Sequence, residues 1–247
     1  MINSFCLTDK NILVTGASSG IGQQVAISCS QMSANVIITG RNNVRLEETL
    51  RLLTGDNNAF ISADLTSEEE IDNLIDKLPI LNGLVLNAGM NKKEPTNHIS
   101  TDAITSIMNT NFTSNVILVR KLLKAKKIAK GASIVFTSSI SVYRPAVGNA
   151  IYAASKGAIN SYMKVLALEL SQKRIRVNTI MPGMVWTHLM DNSPISKEEY
   201  EKDERRYPLG RYGKPEDIAN AAIFLLSDAS SWTTGSSIVI DGGISLI

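Results

Sequence analysis

Cysteine and histidine are scarce in this chain of 247 residues, which contains two of each. Cys6 and Cys29 form neither a metal-ligand spacing nor a disulfide framework, and Cys29 lies in an apolar helical pattern typical of a buried, inert thiol. His98 stands in a polar loop without a second histidine, a cysteine or a carboxylate cluster beside it, so we expect an exposed histidine that is not a ligand. This scarcity argues against a metal centre.

A surplus of charge is also missing, because 25 Lys and Arg residues balance 23 Asp and Glu residues to within +2. No basic stripe dominates, which argues against nucleic acid as a partner. No apolar run reaches the roughly 18 residues of a membrane span, and the first ten residues lack the pattern of a secretory signal. We therefore expect a cytoplasmic protein with no membrane partner.

Short apolar runs alternate with helical patterns along the chain, which predicts a single α/β domain over residues 1–247. The predicted strands are Asn11–Thr15, Asn35–Thr39, Ala59–Ala63, Gly83–Asn87, Ala132–Thr137, Arg176–Ile180 and Ser237–Asp241. The predicted helices are Gln23–Ser33, Val44–Leu53, Thr101–Ala129, Ala150–Ser171 and one that begins at Pro215. Asp191–Arg206 is charged and has no clear core pattern, so we expect a mobile substrate lid near residues 187–210.

A glycine-rich turn, Gly16-Ala-Ser-Ser-Gly20-Ile-Gly22, separates the first strand from the first helix. Glycines let the backbone approach an anion closely, and a helix N-terminus presents free N–H groups and a partial positive charge. The spacing is Gly-x-x-x-Gly-x-Gly and differs from the usual dinucleotide fingerprint. A tight turn that only packs the helix on the strand is the alternative; the strand before it and the helix after it favour a nucleotide site.

Residues that follow the next strands indicate which nucleotide binds. No acidic residue occurs between Gly22 and Glu47, and Arg41 stands where NAD sites carry the carboxylate that binds the ribose. Arg41 would attract a 2′-phosphate, so we predict NADPH over NADH, unless Arg41 is simply an exposed residue at a helix start. Asp64 either accepts from the adenine amino group or belongs to the acidic helix start behind it. Asn87 either lies along a cofactor ribose with Ala88-Gly89 or ties neighbouring strands.

Tyr152 and Lys156 are four residues apart, so a helix over Ala150–Ser171 places both side chains on one face. A nearby ammonium group lowers the pKa of a phenol, which is suited to a general acid/base. Ser138-Ser139 comes at the end of the fifth predicted strand. Asn111 is an amide in the middle of a predicted helix, where it either stays exposed or opens the helix and holds water near the site.

These motifs together resemble the short-chain dehydrogenase/reductase family, in style closest to its 3-oxoacyl-acyl-carrier-protein reductases. The residues that carry the resemblance are Thr15-Gly16-x-x-x-Gly20-x-Gly22, Asn87-Ala88-Gly89, Asn111, Ser139, Tyr152-x-x-x-Lys156 and Pro182-Gly183. It implies a single-domain Rossmann fold, a seven-stranded parallel sheet in the order 3-2-1-4-5-6-7 with helices on both faces. Leu86 and Ser19 depart from the residues common in the acyl-carrier subgroup.

The resemblance also assigns roles. Tyr152 becomes the general acid/base, Lys156 lowers its pKa and binds the nicotinamide ribose, and Ser139 binds the substrate carbonyl. Asn111 holds a water in a proton relay with Lys156. The cofactor pyrophosphate is expected among Gly16, Ser18, Ser19, Gly20, Ile21 and Gly22, adenine beside Asp64 and Leu65, and nicotinamide beside Pro182, Gly183, Val185 and Thr187.

The predicted function is reduction of a small-molecule carbonyl compound by NADPH. The alternative is a catalytically silent nucleotide-binding regulatory protein on the same fold. The resemblance further implies a homotetramer, in which subunits pack through the long helices at Thr101–Ala129 and Ile151–Ser171.

Overall fold

The computed structural model describes residues 4–187 and 196–247. Seven strands form one sheet in the order β3-β2-β1-β4-β5-β6-β7, and every neighbouring pair is parallel. The strands are β1 (Asn11–Thr15), β2 (Asn35–Gly40), β3 (Ala59–Ser62), β4 (Leu81–Leu86), β5 (Ile128–Thr137), β6 (Arg176–Pro182) and β7 (Ser237–Ile240). The predicted fold class and strand order are confirmed.

Helices cover both faces of the sheet, as the near-continuous apolar strands require. In the described ranges they are α1 (Gly20–Gln31), α2 (Asn43–Leu52), α3 (Glu68–Lys77), α4 (Thr101–Met108), α5 (Ser114–Lys124), α6 (Ala150–Leu170), α7 (Lys197–Glu204) and α8 (Pro215–Leu226). Alternate residues of β1 point to opposite faces. Leu13 joins a core with α3, α5 and α6, whereas Ile12 and Val14 join a second core with α1 and α8.

The predicted helix over Thr101–Ala129 is wrong in its middle and at its end. A π-helical turn, Asn109–Thr113, separates α4 from α5, and α5 ends at Lys124. Lys126 adopts a left-handed conformation with φ of 55°, which stops the helix. The apolar pattern that continued the helix belongs instead to β5, whose Ile128 pairs with Leu81.

The predicted lid does contain a core contact, contrary to expectation. Its helix α7 buries Tyr200 in a small cluster with Tyr207, Tyr212 and Ile244. One tyrosine every turn or two is too sparse for a periodic signal, which is why the sequence showed no core pattern. Residues 188–195 of the predicted lid lie outside the described residues.

The glycine turn, Arg41, Asp64, Asn87, Ser139 and Gly183 follow the carboxyl ends of β1 to β6 in turn. In a parallel sheet these ends share one edge, where open α/β folds bind their ligands. Within residues 4–187 and 196–247 we find no helix long and apolar enough to span a bilayer. The same residues contain no cluster of three or more potential metal ligands among His, Cys, Asp and Glu.

Candidate active site

The turn after β1 is a cradle that only glycines fit. Gly16 and Gly20 have φ values of 63° and 57°, in the left-handed region that side chains disfavour. A Cβ on Gly22 would lie 2.3 Å from the Gly16 carbonyl oxygen, and one on Gly16 would lie 2.8 Å from the Cα of Ala88. The main chain of β1, α1 and β4 therefore meets at this turn without intervening side chains.

The first turn of α1 has the free donors that a phosphate needs. Ser19 occupies the N-cap position but its side chain accepts no hydrogen bond, and the first turn contains no acidic residue. By contrast, the side chains of Asn42, Ser67 and Ser100 cap α2, α3 and α4. α5, α6 and α8 also lack a side-chain cap, so the missing cap alone does not distinguish α1. Together with the glycine turn, the uncapped start of α1 fits the pyrophosphate of a dinucleotide. Ser18 and Ile21 lie in the same turn, half-buried.

The end of β4 is joined to this turn by hydrogen bonds. Thr15 Oγ1 accepts from the main-chain N–H groups of Asn87 and Ala88 at 3.0 and 3.1 Å. The Asn87 side-chain amide donates to the Gly16 carbonyl at 3.3 Å. Asn87 thus ties neighbouring strand ends, which is the second of the two interpretations of this residue.

Arg41 and Asp64 lie near each other at the far side of the crevice. Arg41 is exposed on the turn after β2. Burial favours a higher pKa for Asp64, but hydrogen bonds from Thr66 and the charge of Arg41 outweigh it and lower the pKa. Asp64 Oδ1 accepts from the Thr66 N–H at 2.9 Å and from the Thr66 hydroxyl at 2.8 Å, so this carboxylate belongs to the helix entry turn. Leu65 is buried in the core.

Tyr152, Lys156 and Ser139 converge at the carboxyl end of β5. Lys156 Nζ lies 5.7 Å from the centre of the Tyr152 ring and donates to the Thr137 carbonyl at 2.8 Å. Ser139 hydrogen-bonds to the Tyr152 hydroxyl. Ser138 instead donates to the Lys156 carbonyl at 3.2 Å and is buried. The two serines therefore differ in role although they are neighbours in sequence.

In the chain alone Lys156 is not among the groups that shift the pKa of Tyr152, so its role in lowering that pKa stays a prediction. Burial raises the pKa of Tyr152, and only the hydrogen bond with Ser139 opposes it. Burial also lowers the pKa of Lys156 to about 8, because no carboxylate compensates its charge. The sequence showed the spacing of the two groups but could not show how far both are withdrawn from water. Tyr152 is accordingly a neutral phenol at neutral pH, the form that donates a proton.

Asn111 is not exposed and opens the helix, as the second of the two possibilities expects, while the water it would hold stays a prediction. It is fully buried in the π-helical turn, where its side chain bonds both main-chain groups of Met90: Oδ1 accepts at 2.8 Å and Nδ2 donates at 2.9 Å. Nδ2 also donates to Ser155 Oγ at 3.0 Å, and Ser155 donates to the Tyr152 carbonyl at 2.7 Å. Ser155 was not predicted; its position three residues after Tyr152 was the available signal.

Gly89 brings this network close to the lysine. A Cβ on Gly89 would lie 3.3 Å from Asn111 Oδ1 and 3.5 Å from Lys156 Nζ. The chain after β4 therefore passes close to both side chains, and a larger residue here would crowd Asn111.

The segment after β6 is held by β7 and by the loop at Gly213, and it reaches the glycine turn. Pro182 pairs with Ile240 in the sheet, and the Gly183 N–H donates to the Ile240 carbonyl at 2.9 Å. Val185 is buried and forms a bridge to the loop at Gly213. Thr187 reaches the glycine turn, since its Cγ2 lies 3.3 Å from where a Cβ on Gly20 would be.

Comparisons with known proteins match this chain to reductases and to a dehydrogenase family. Residues 16–245 match the family described as enoyl-(acyl carrier protein) reductase. The chain is 34% identical to the 3-oxoacyl-[acyl-carrier-protein] reductase of Rickettsia felis, over 98% of this chain and 99% of that protein. It is also 34% identical to the L-xylulose reductase of Caenorhabditis elegans, over 98% of both chains. A crystal structure of a short chain dehydrogenase family protein from Francisella tularensis superposes with a TM-score of 0.85 at 35% identity, over 96% of this chain and 99% of that one.

Proposed function

The chain belongs to the short-chain dehydrogenase/reductase family, and we propose that it reduces a ketone, such as a 3-oxoacyl group, to an alcohol with NADPH and Tyr152 as the general acid/base. The family establishes an NAD(P)-dependent oxidoreductase acting on CH–OH and C=O groups. One observation carries the finer proposal: Tyr152, Lys156 and Ser139 meet beside the glycine cradle.

The cofactor, when bound, supplies the hydride. The chain's own residues supply the proton and the polarisation. The Ser139 hydroxyl would donate to the substrate oxygen, and the neutral Tyr152 phenol would protonate that oxygen as negative charge develops. Lys156, held by the Thr137 carbonyl, provides positive charge next to the phenol and a donor for the nicotinamide ribose. Asn111 would hold the water that returns a proton to this pair.

The cofactor preference follows from charge at the adenine end. Arg41 is exposed, and its charge lowers the pKa of the nearby Asp64. A 2′-phosphate at this end would therefore contact the Arg41 guanidinium rather than the Asp64 carboxylate. We expect Arg41→Ala to lower the NADPH/NADH ratio of kcat/KM by about 10- to 100-fold, the effect of one charged hydrogen-bonding partner. An unchanged ratio, with NADH favoured by the wild type, would refute the NADPH assignment.

The general acid is tested by Tyr152→Phe, which removes one oxygen and keeps the ring. Turnover should fall by at least about 10³-fold, as expected for loss of a general acid. NADPH affinity, measured by quenching of protein fluorescence, should change by less than about threefold because the cradle is untouched. The carbonyl panel should include a 3-oxoacyl thioester and a ketose, the substrates suggested by the names of the relatives. If the wild type binds NADPH but reduces none of the carbonyl compounds in the panel, the result supports the catalytically silent alternative.

We also propose a homotetramer. Val165 and Leu168 are 54% and 77% exposed and lie three residues apart on α6, and Ile104 is exposed on α4. Packing of these side chains against a second copy would bury them, as the resemblance implies. Light scattering of the wild type and of Leu168→Glu tests this. A monomeric wild type would refute the tetramer.

A further inference from the structure

Arg144 differs from the other arginines of the chain in its surroundings. Arg144 and Arg176 are half-buried, whereas the remaining arginines, all within the described residues, are exposed. Arg176 donates to the Leu225 and Ser227 carbonyls and to Ser230 Oγ, at 2.6–3.0 Å. The Arg144 guanidinium makes no hydrogen bond and no ion pair with any described residue. A half-buried arginine without a partner among the described residues keeps its guanidinium donors available to an anionic ligand.

The position of Arg144 is at the substrate side of the crevice. Its main-chain N–H donates to the Ile140 carbonyl at 2.7 Å, which folds the residue back over the turn directly after Ser139. Ile140 packs against the cluster that contains Tyr207. The Arg144 charge acts on the Tyr207 hydroxyl, and that hydroxyl accepts from the Met184 N–H. Arg144 therefore lies between the turn after Ser139 and the segment after β6.

Among the described residues, two carboxylates act on the same tyrosine as Arg144, and both have other partners. Asp203 and Asp241 both act on Tyr207. Asp203 pairs with Arg206 at 3.0 Å and accepts from the Tyr212 hydroxyl at 2.8 Å. Asp241 accepts from two main-chain N–H groups of the turn that follows it, each at 2.9 Å. Neither carboxylate pairs with Arg144.

The 2′-phosphate of the cofactor is also out of reach. Arg41, its proposed partner, follows β2, whereas Arg144 follows β5. Three strand steps separate β2 from β5 in the sheet, about 14 Å at the usual spacing. The two arginines therefore serve different anions.

We propose that Arg144 binds a carboxylate of the substrate, so that the preferred substrates are oxo acids with the carboxylate a few bonds from the carbonyl that is reduced. This inference rests on the proposed reductase function and narrows its substrate class. A guanidinium matches a carboxylate with two parallel hydrogen bonds, which a lysine cannot reproduce.

The test compares acids with their neutral esters. We would measure kcat/KM with NADPH for 2-, 3- and 4-oxopentanoate and their methyl esters, in the wild type, Arg144→Met, Arg144→Lys and the remote control Arg51→Met. Arg51 is exposed and paired with Glu47, so its substitution makes the same charge change away from the crevice. Arg144→Met should lower the acid/ester ratio by about 10- to 100-fold, with Arg144→Lys in between and the control unchanged.

A ratio that stays within about threefold in Arg144→Met, or a wild type that prefers every ester, would overturn the inference. Dihydroxyacetone phosphate and dihydroxyacetone form a second pair. If the enzyme prefers the charged compound only in this second pair, the anion bound by Arg144 is a phosphate and the carboxylate proposal is wrong.

Binding separates this inference from the proposed function. The thermal shift that 4-oxopentanoate gives to the protein with NADPH should exceed that of its methyl ester, and the excess should vanish in Arg144→Met. If this holds but no carbonyl compound is reduced, the carboxylate site stands and the reductase proposal fails. If esters are reduced while acids give no extra shift, the reductase stands and the carboxylate site fails.

Discussion

The turn after β1 and the turn after β5 lie at the same edge of the sheet, two strands apart. They differ in whether main-chain or side-chain groups form the site. At the first turn the main chain forms the site: a Cβ on Gly22 would collide with the Gly16 carbonyl. At the second turn side chains form it: Ser139, Tyr152 and Lys156 are held by hydrogen bonds and charge. The first region should be sensitive to added atoms, and the second to lost polar groups.

The sharpest test of this difference is Lys156→Met, which keeps the length of the side chain and removes its charge. We expect turnover to fall by about 10³-fold, since the general acid loses its cationic partner. We also expect the folded state to gain stability at neutral pH. Burial lowers the pKa of Lys156 from 10.5 to about 8, so the buried charge costs about 3 kcal/mol at about 1.36 kcal/mol per unit. The variant also leaves the Thr137 carbonyl without its hydrogen bond, which reduces the gain in stability by about 1 kcal/mol.

The stability difference between Lys156→Met and the wild type should depend on pH because burial lowers the pKa of Lys156. Between about pH 8 and 10.5 the unfolded wild type keeps a proton that folded Lys156 has released, so wild-type stability rises with pH across that window. The advantage of the variant should therefore be largest below about pH 8 and shrink towards pH 10. Urea unfolding at several pH values measures it, with the exposed Lys77→Met as the control. A variant that is less stable at every pH would contradict the account.

The opposite response is expected at the glycine turn. In Gly22→Ala the new methyl group would lie 2.3 Å from the Gly16 oxygen and 2.5 Å from the Asn87 amide nitrogen. The main chain must shift, so NADPH affinity should fall by about 100-fold, as expected when close positioning is lost. Gly157→Ala is the matched control, because no atom outside its own helix lies within 4 Å of that new methyl group. Titration of NADPH fluorescence separates the two, and equal affinities would refute the cradle.

The same difference explains how much of the molecule was predictable. The glycine turn and the strand order follow from local patterns: Asn11–Thr15 is apolar, and Gly16 and Gly20 stand at the two positions of the turn whose φ is positive. The site after β5 depends on contacts between distant segments. No local pattern announces that Ser155 accepts from Asn111, or that Tyr207 contacts Met184. The effect of burial on Tyr152 likewise depends on what the whole fold packs around it.

The π-helical turn is an intermediate case, because Asn111 stands out in the sequence while its partners do not. Asn111→Ala removes the acceptor of the Met90 N–H and a donor to Ser155. We expect a loss of about 2 kcal/mol in stability, because a buried N–H loses its partner. Turnover should fall about 10-fold, since Ser155 also positions the Tyr152 main chain. Ser106→Ala is the control, since its hydroxyl bonds only within α4. Equal effects of the two variants on turnover would contradict a link to Tyr152.

The smallest effect on stability and kinetics should come from a substitution in the aromatic cluster that packs against α7. The Tyr212 hydroxyl donates to Asp203 at 2.8 Å, and its ring stacks against Trp186 with centroids 6.2 Å apart. Tyr212→Phe keeps the ring contacts and removes the hydrogen bond to a charged partner, at a cost of about 1–2 kcal/mol. Tyr200→Phe is the matched control, because the Tyr200 hydroxyl bonds no described residue.

If the cluster holds the segment after β6 through side chains, Tyr212→Phe should raise KM for the carbonyl substrate by about two- to fivefold and leave NADPH affinity unchanged. The reason is that Trp186 lies in the segment after β6 and stacks on Tyr212, whereas the cradle is built from main chain. Steady-state kinetics with both ligands varied give the two constants. A variant that weakens NADPH instead would show that the two turns share one support, and the division between them would then not hold.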